Sequence, residues 1–334
     1  MTQQQLDDTT ALNGRSTNAL RLFRLDPALI ALLLAIALFL LGGILRPGFV
    51  NVNQAINILR LAAFLGIAAA GQTLVVLSGG EGIDLSIGAV LTLAAMLVFR
   101  IVDGNDAMIL PALAVALAAG AAIGALNGIG VSLIRIPPLV MTLAMGIVVQ
   151  GVILTITHGQ MVGEPAPLMA RLISRPLILG LPGVVFVWVL LGFGMWLLLH
   201  RTGYGKWLFA IGTNRTTARL SGVRVPLVVI ATYALSGLLA AFAGFLILGF
   251  TQNVYLNLGE RYLFPTVAAV VVGGTLLSGG KGSYWGTMSG ALVLTLLTSL
   301  LTALQLGEAV KQIVLGTILL VLLSIYGRRA KLRQ

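Results

Sequence analysis

The sequence predicts an all-α polytopic membrane protein with about ten transmembrane helices. Hydrophobic residues make up 58% of the 334 residues, charged residues make up only 9%, and the mean hydropathy is +1.03. Soluble domains carry about 25% charged residues, so a soluble catalytic unit is excluded. Ten spans of about 20 residues use roughly 200 residues and leave loops too short for a second folded domain.

Long apolar runs define the predicted helices. They lie at 28–45, 55–78, 86–101, 108–134, 138–158, 181–199, 227–250, 263–277, 284–305 and 308–326. The run at 108–134 is glycine-rich and is expected to be tilted or broken, and the run at 263–277 is short for a span. Residues 1–26 are predicted to form a cytoplasmic tail, and 27–334 the transmembrane domain.

The distribution of basic residues predicts the orientation. Placing the N-terminus in the cytoplasm puts roughly two thirds of the 21 Lys and Arg residues on the cytoplasmic side, as the positive-inside rule requires. Both termini are then cytoplasmic. The net charge of +11 follows from this bias and does not indicate binding to nucleic acid.

The segment 79–88 interrupts two apolar runs with four glycines and two carboxylates, Glu81 and Asp84. Charge at membrane depth costs roughly 2.5 to 3.5 kcal/mol on insertion scales and is usually functional. We interpret the segment as a break between helices. Asp84 either caps a helix starting near Leu85 or contacts the solute at the inner mouth, and the two roles are compatible.

Small residues in three stretches predict close packing between helices. The stretches 68–71, 118–122 and 286–290 are rich in Gly and Ala, which let membrane helices approach closely.

The four residues 79–82 resemble 279–282, and both segments fall in predicted cytoplasmic turns. One short echo does not establish a repeat.

The polar segment 200–226 is the predicted cytoplasmic loop. Asn214 is expected to cap a short helix that runs through Leu220, and Gly222 is expected to end it. We expect Ala218 and Leu220 on one side of this helix and Arg215 and Arg219 projecting. Such a short helix needs a docking surface, which is either a partner protein or anionic lipid.

The chain lacks the residues for catalysis or metal binding. There is no Walker A motif, and the closest segment, 275–282, lacks the required Gly and Ser/Thr. The sequence has no Cys and two His, each at the end of a span, so no metal site, cofactor site or catalytic residue is expected. The chain is therefore not expected to hydrolyse ATP itself, and any ATP drive must come from a partner.

A series of motifs resembles a known family. GQTLVVL at 71–77 followed by GIDLSIG at 82–88 resembles the signature of the ribose/xylose-type permeases of ABC sugar importers. The resemblance continues in matching order through ALNG at 125–128, IPPLVMTL at 136–143, TGYG at 202–205, AIGTN at 210–214, ARLSGV at 218–223, AAVVVGGT at 268–275, GGKGS at 279–283, GT at 286–287 and GA at 290–291.

The resemblance implies a type II ABC importer-like permease in a bacterial inner membrane. Its expected partners are a second permease subunit, a cytoplasmic ABC ATPase that binds the ATP, and an external or periplasmic solute-binding protein. The loop then resembles the coupling helix that docks on the ATPase, through Gly205, Gly212, Asn214, Arg215, Ala218, Arg219, Leu220 and Gly222. Membrane lipid surrounds the rest.

The solute implied by the resemblance is a monosaccharide or a similar small polar molecule. The candidate pathway residues are Gln72, Asp84, Ser86, Asn127, Thr142 and Gln150. Each could equally make an interhelical hydrogen bond. Two departures from the family pattern, the extra residues 81–82 and the absence of acidic residues at 263–265, leave a non-sugar solute open. The alternative function is an ATP-independent secondary transporter or channel.

Overall fold

The computed structural model describes residues 26–330. The predicted tail, 1–26, lies outside this range except for Asp26. The chain forms helices α1 Pro27–Leu45, α2 Val52–Leu77, α3 Ile87–Val102, α4 Ile109–Ile129, α5 Pro138–Thr157, α6 Pro167–Ile173, α7 Gly183–Arg201, α8 Gly203–Thr213, α9 Arg215–Leu220, α10 Val225–Thr251, α11 Glu260–Val272, α12 Tyr284–Ala303 and α13 Glu308–Ala330. Two short strands, β1 Pro176–Ile178 and β2 Leu181–Pro182, form an antiparallel hairpin.

Each predicted apolar run coincides with one helix in the described part of the chain. Within residues 26–330, seven helices are long and apolar enough to cross a membrane: α1, α2, α4 with its flanking turns, α5, α7, α10 and α12. The protein is therefore an all-α, multi-pass membrane protein. Helices α3 and α11 are shorter, with 16 and 13 residues.

The expected irregularity in the run at 108–134 is present. Helix α4 ends at Ile129 and continues as one π-helical turn, Gly130–Ile134. Arg135 follows with a φ of 66°, which ends the helix before Pro137 and Pro138 redirect the chain into α5.

The core of the bundle is built around α2 and α10. Every residue of α2 from Ala62 to Leu77 is buried. Helix α10 lies against α4 at the distance that small residues permit, because a Cβ at Gly237 would overlap the Gly120 carbonyl oxygen. The predicted stretch 286–290 behaves alike, since Gly286 lies against Gly273 and Gly290 against the Ala269 carbonyl. The prediction of close packing through small residues is confirmed.

Three elements were not predicted from the sequence: α6, the hairpin and α8. Helix α8 lies within the segment 200–226, interpreted as a loop, and spans 11 residues of it. Thr202 caps it by accepting a hydrogen bond from the Gly205 N–H at 3.2 Å. Its buried residues, Gly205, Leu208 and Ile211, recur every third residue, as on one face of a helix. Three glycines in eleven residues hide this pattern from propensity arguments.

Candidate functional site: a broken helix, a polar cavity and a glycine junction

The break between α2 and α3 is a re-entrant turn. Gly79, Gly80 and Glu81 have successive positive φ angles of 69°, 64° and 58°, which reverse the chain. The chain then runs back beside α2, where the Asp84 N–H donates to Gln72 Oε1 at 3.2 Å. Gln72 lies more than one turn before the end of α2, so α3 starts well inside the bundle.

Asp84 is the centre of a buried polar network, which we call the break network. Its Oδ1 accepts hydrogen bonds from the Ser86 N–H at 3.0 Å and the Ser86 hydroxyl at 2.6 Å. Its Oδ2 accepts from the Ser236 hydroxyl at 2.7 Å, and Ser236 lies in the middle of α10. Asp84 is 1% exposed, so these three donors take the place of water around the carboxylate.

Two further helices join the break network. Asn127 of α4 donates from Nδ2 to the Ser86 hydroxyl oxygen at 2.9 Å. The Leu85 N–H donates to Thr142 Oγ1 of α5 at 3.0 Å. Residues from α2, α4, α5 and α10 thus converge on one turn, and the freed backbone groups of the break are satisfied inside protein.

One donor and one acceptor in the break network have no partner within residues 26–330. They are Gln72 Nε2 and Asn127 Oδ1, and both atoms are buried. Both side chains are 0% exposed. The network therefore contains one amide donor and one amide acceptor without a hydrogen bond to any described residue, next to a carboxylate whose two oxygens both accept hydrogen bonds.

The structure corrects one detail of the proposed Asp84 cap. Helix α3 begins at Ile87, and its N-cap residue is Ser86, which makes no side-chain capping bond. Asp84 instead bonds the N–H of Ser86, two residues on, as in an Asx turn. The carboxylate supports the turn that precedes the helix, because Ser236 and Ser86 hold it there.

Gln150 does not belong to the break network. It is exposed on α5 and lines a separate cavity of about 180 Å³ with residues of α3 and α11. The polar groups of this cavity, which we call the midhelix cavity, are Gln150, Thr92 and Glu260. The sequence analysis did not select Thr92 or Glu260.

Two helix N-termini meet at the midhelix cavity. Gly88, at the start of α3, lies against Gly259, which precedes α11, so closely that a Cβ at either residue would overlap backbone of the other. The Gly259 N–H donates to Thr92 Oγ1 at 2.9 Å. Glu260 lies one helical turn before Leu263. Helix α11 therefore places a carboxylate next to residues 263–265, where the sequence has no acidic residue.

The two echoing glycine turns lie in direct contact at the other end of α11. The Gly280 N–H donates to the Leu77 carbonyl oxygen at 3.0 Å. A Cβ at Gly279 would lie 2.6 Å from the Gly79 nitrogen, and a Cβ at Gly212 would overlap both Leu77 and Gly280. We call Gly79, Gly80, Gly212, Gly279 and Gly280 the glycine junction. It joins the end of α8 to the turns after α2 and α11.

Helix α9 begins and ends as the sequence predicts. Asn214 Oδ1 accepts a hydrogen bond from the Thr217 N–H at 2.9 Å, and Gly222 follows the helix with a φ of 83°. The predicted faces are partly wrong. Ala218 is buried, but Leu220 is 84% exposed, because residues two apart lie on opposite sides of a helix and do not share a face.

Arg215 also departs from the prediction that it projects. Its Nη2 donates to the Gly79 carbonyl oxygen at 3.1 Å, so the side chain folds back onto the glycine junction. Arg219 is exposed. Arg215 therefore connects helix α9 to the turn after α2, whereas Arg219 of the same helix is exposed.

Helix α8 is anchored to α10 by a tyrosine. The Tyr204 hydroxyl lies 2.9 Å from Thr232 Oγ1. Burial raises the pKa of Tyr204 to about 12.

Sequence comparisons identify the family. The family described as the branched-chain amino acid transport system/permease component matches residues 54–323. The ribose import permease RbsC of Escherichia coli K12 is 38% identical over 298 residues, which cover 88% of this chain and 90% of that protein. The chain belongs to this permease family.

Other relatives agree with this assignment. The permease is 36% identical to the RbsC of Bacillus subtilis over 288 residues, covering 85% of this chain and 88% of that protein. It is 33% identical to the autoinducer 2 import system permease LsrC of Yersinia enterocolitica over 302 residues, covering 89% and 82%. No solved structure gives a significant match to it. The permease is a transport component of a binding-protein-dependent ABC importer and not an enzyme.

The structure thus distributes the candidate residues of the permease over three places. The break network brings together Gln72, Asp84, Ser86, Asn127 and Thr142. The midhelix cavity holds Gln150, and the glycine junction and α9 hold the predicted coupling residues apart from Gly205. A Cβ at Gly205 would overlap the Leu199 carbonyl, so this glycine lets α8 fold back on α7.

Proposed function

We propose that this permease carries a monosaccharide or a similar small polar solute, with ATP bound and hydrolysed by a partner ATPase. The observation that carries the proposal is the midhelix cavity, where two helix N-termini and three polar side chains meet. Two ribose import permeases among the relatives support a sugar. The relative named for autoinducer 2 import adds that compound to the solutes worth testing.

The chemistry of the cavity suits a neutral polyhydroxyl solute. At the start of α11 the N–H groups of Gly259, Glu260 and Tyr262 already donate within the chain, so side chains would supply the contacts there. Gln150 offers both donors and acceptors, and Glu260 accepts from hydroxyl hydrogens. The Thr92 hydroxyl donates to the Gly88 carbonyl oxygen at 3.0 Å and offers only acceptor capacity. Transporters often place their solute sites where interrupted helices begin inside the membrane.

We infer that a second permease subunit, a copy or a relative, covers the face that carries this cavity. Gln150 and Glu260 are exposed there beside Leu143 and Ile147. A carboxylate facing lipid is costly, so a protein neighbour or an aqueous path suits this face better than hydrocarbon. The pathway would then lie between the two subunits.

The proposed topology has ten crossings, as in a type II importer. Helices α3, α11 and α13 add three crossings to the seven long spans, and α3 and α11 cross only with the re-entrant turns before or after them. We place both termini in the cytoplasm of a bacterial cell and the solute-binding protein on the opposite side. Residues 27–334 form the permease domain and 200–226 its cytoplasmic coupling loop.

Helix α9 is the proposed contact with the ATPase, and the glycine junction is the proposed route from that contact to the cavity. Movement of α9 pulls on the turn after α2 through Arg215 and the Gly79 carbonyl. The same junction holds the end of α11 through Gly280. The helices that begin at the midhelix cavity, α3 and α11, therefore both connect to the coupling loop.

Reconstitution tests this function. The permease is placed in liposomes with its ATPase and solute-binding protein, and uptake of radiolabelled ribose, xylose and autoinducer 2 is measured with and without ATP. We expect ATP-dependent uptake of one of these solutes. Uptake by the permease alone under an ion gradient would favour the alternative, a secondary transporter or channel, and would refute the proposal.

A variant locates the pathway in the same assay. Glu260→Gln removes the carboxylate of the midhelix cavity and is expected to raise the solute concentration for half-maximal uptake about tenfold, since a hydrogen bond to a charged group contributes about 1.5 kcal/mol or more. Glu308→Gln is the matched control, because Glu308 is an exposed carboxylate on α13, paired with Lys311. Equal uptake by both variants would place the solute elsewhere.

A further inference from the structure

A cavity between the helices lies beside α9, and its lining includes three arginines. It has a volume of about 310 Å³, within the range of small-ligand sites. Arg135, from the connection between α4 and α5, faces it together with Arg215 and Arg219 of α9. Pro138 and Pro226 are among its apolar walls. We call it the arginine pocket.

No carboxylate lines the arginine pocket. Among the side chains that the structure describes, the one ion pair is Lys311–Glu308, which belongs to α13. The acidic residue closest in sequence to the lining, Glu81, is exposed beside Gly80 and pairs with no described cation. Three arginines therefore line one small cavity whose lining includes no carboxylate, and their positive charges repel one another unless an anion binds between them.

Arg215 offers a hydrogen-bond donor that the described chain does not use. Its Nη2 bonds the Gly79 carbonyl, but its Nε is buried and has no partner within residues 26–330. A buried donor without an acceptor costs about 1 to 3 kcal/mol. Because the Nε has almost no surface open to the cavity, an anionic oxygen would reach it only after a small movement of the Arg215 side chain.

We propose that the arginine pocket binds a phosphate-bearing anion. The planar fork of arginine matches the oxygens of phosphate and makes paired, charge-assisted hydrogen bonds with them. Two sources supply this chemistry: the headgroup of an anionic phospholipid and a soluble phosphate. If the anion is a lipid headgroup, the glycerol part of the lipid lies against the proline-lined walls. If the anion is a free phosphate, no further group contacts these walls.

Occupation of the arginine pocket would link two elements that few other contacts join. Arg135 lies in the connection that leads into α5, which carries Gln150, and Arg219 belongs to the proposed coupling helix. A phosphate held by both would fix the distance between them. The site is independent of the proposed transport function, because binding can be measured on the permease alone.

Direct binding to the purified permease tests the proposal at about 150 mM ionic strength, where weak surface attraction is screened. In one arm, inorganic phosphate is titrated into the permease and the heat of binding is measured by calorimetry, with chloride as the control anion. The other arm counts lipids that remain bound in native mass spectrometry after exchange into phosphatidylglycerol or phosphatidylcholine. Saturable phosphate binding identifies a soluble source, and selective retention of one phosphatidylglycerol identifies a lipid source.

The decisive variant is Arg135→Asn, with Arg201→Asn as its control. Asparagine tolerates the φ of 66° at position 135, so the variant is expected to fold. Arg201 ends α7, is exposed and does not line the pocket. We expect Arg135→Asn to weaken binding about tenfold or more and Arg201→Asn to leave it unchanged.

Three results would overturn the proposal. They are no binding of either probe by the parent protein, equal binding by the parent and Arg135→Asn, and equal loss in both variants. Arg135→Lys adds a further check, because it keeps the charge but loses the fork. An intermediate affinity for Arg135→Lys is expected, and an affinity equal to that of Arg135→Asn would contradict the charge-based part of the proposal.

Discussion

The two glycine turns of this permease have nearly the same sequence but are held in different ways. The turn after α2, residues 78–86, is fixed by side chains from four helices that converge on Asp84 and its neighbours. The turn after α11, residues 273–283, bonds to the turn after α2 only through backbone, by the Gly280 N–H and the Leu77 carbonyl oxygen. It ends in an ordinary cap, in which Ser283 accepts from the Gly286 N–H at 3.1 Å. The first turn is thus held by side chains from several helices, whereas the second is held by backbone contacts and its own bonds.

This difference teaches that a short sequence echo does not imply equal roles. Both turns use glycines with positive φ angles, and both contact Gly212. The first turn alone is followed by a carboxylate that reaches another helix, Asp84 bonded to Ser236. A change of a side chain in the first turn should therefore disturb several helices, whereas loss of the Ser283 cap in the second should stay local.

The largest effect is expected where the two turns meet. In Gly212→Ala the added methyl group would overlap the Leu77 carbonyl and the Gly280 nitrogen, and backbone atoms cannot move aside cheaply. We expect a loss of about 3 kcal/mol or more in the free energy of unfolding, at the upper end for overpacking. Thermal unfolding and yield in detergent measure it.

The control for this substitution is Gly194→Ala in α7. Gly194 is also helical, and no heavy atom lies within 4 Å of its missing Cβ. Alanine should be neutral or slightly stabilising there, by up to about 1 kcal/mol. If both substitutions lower the unfolding temperature equally, the glycine junction is not a close contact.

The second effect separates the two turns. Asp84→Ala removes the acceptor of three hydrogen bonds and leaves the Ser86 and Ser236 hydroxyls buried. We expect a loss of about 3 kcal/mol, because unsatisfied buried donors are costly. Hydrogen exchange should rise in α3 and also in α10, where Ser236 lies. An increase in hydrogen exchange confined to residues near 84 would contradict the view that the break network joins several helices.

The third effect probes the second turn. Ser283→Ala removes the cap of α12 and should cost about 1 kcal/mol, the usual value for a lost N-cap. Its increase in hydrogen exchange should be limited to the first turn of α12. A loss as large as that of Asp84→Ala would make the two turns equivalent and remove the comparison.

The smallest effect concerns the residues that differ in charge between the echoes. Glu81 and Lys281 are both exposed and make no ion pair with described residues. Glu81→Gln and Lys281→Gln should each change the free energy of unfolding by less than about 0.5 kcal/mol. Thermal unfolding of both variants checks this, and a larger change in either would mean that its charge has a partner in the assembled importer.

The sequence alone predicted much of the fold because hydrophobic periodicity and length are local signals. Every apolar run became a helix, and the Asn214 cap and Gly222 stop appeared where expected. Helix α8 escaped prediction, because its burial against α7 and α10 outweighs the low propensity of its glycines. The exposure of Leu220 escaped as well, since only packing decides which face of a short helix is covered.

The sequence by itself determined that this protein is a polytopic membrane permease, since composition, run lengths and ordered motifs are properties of the chain. Tertiary structure decided the neighbours. It joined Gln72, Asn127 and Thr142 to the turn at Asp84, left Gln150 at another cavity beside Glu260, and gathered arginines from separate elements around one pocket. Such meetings depend on how helices cross and where re-entrant segments turn back, which residues distant in sequence settle only when they pack together.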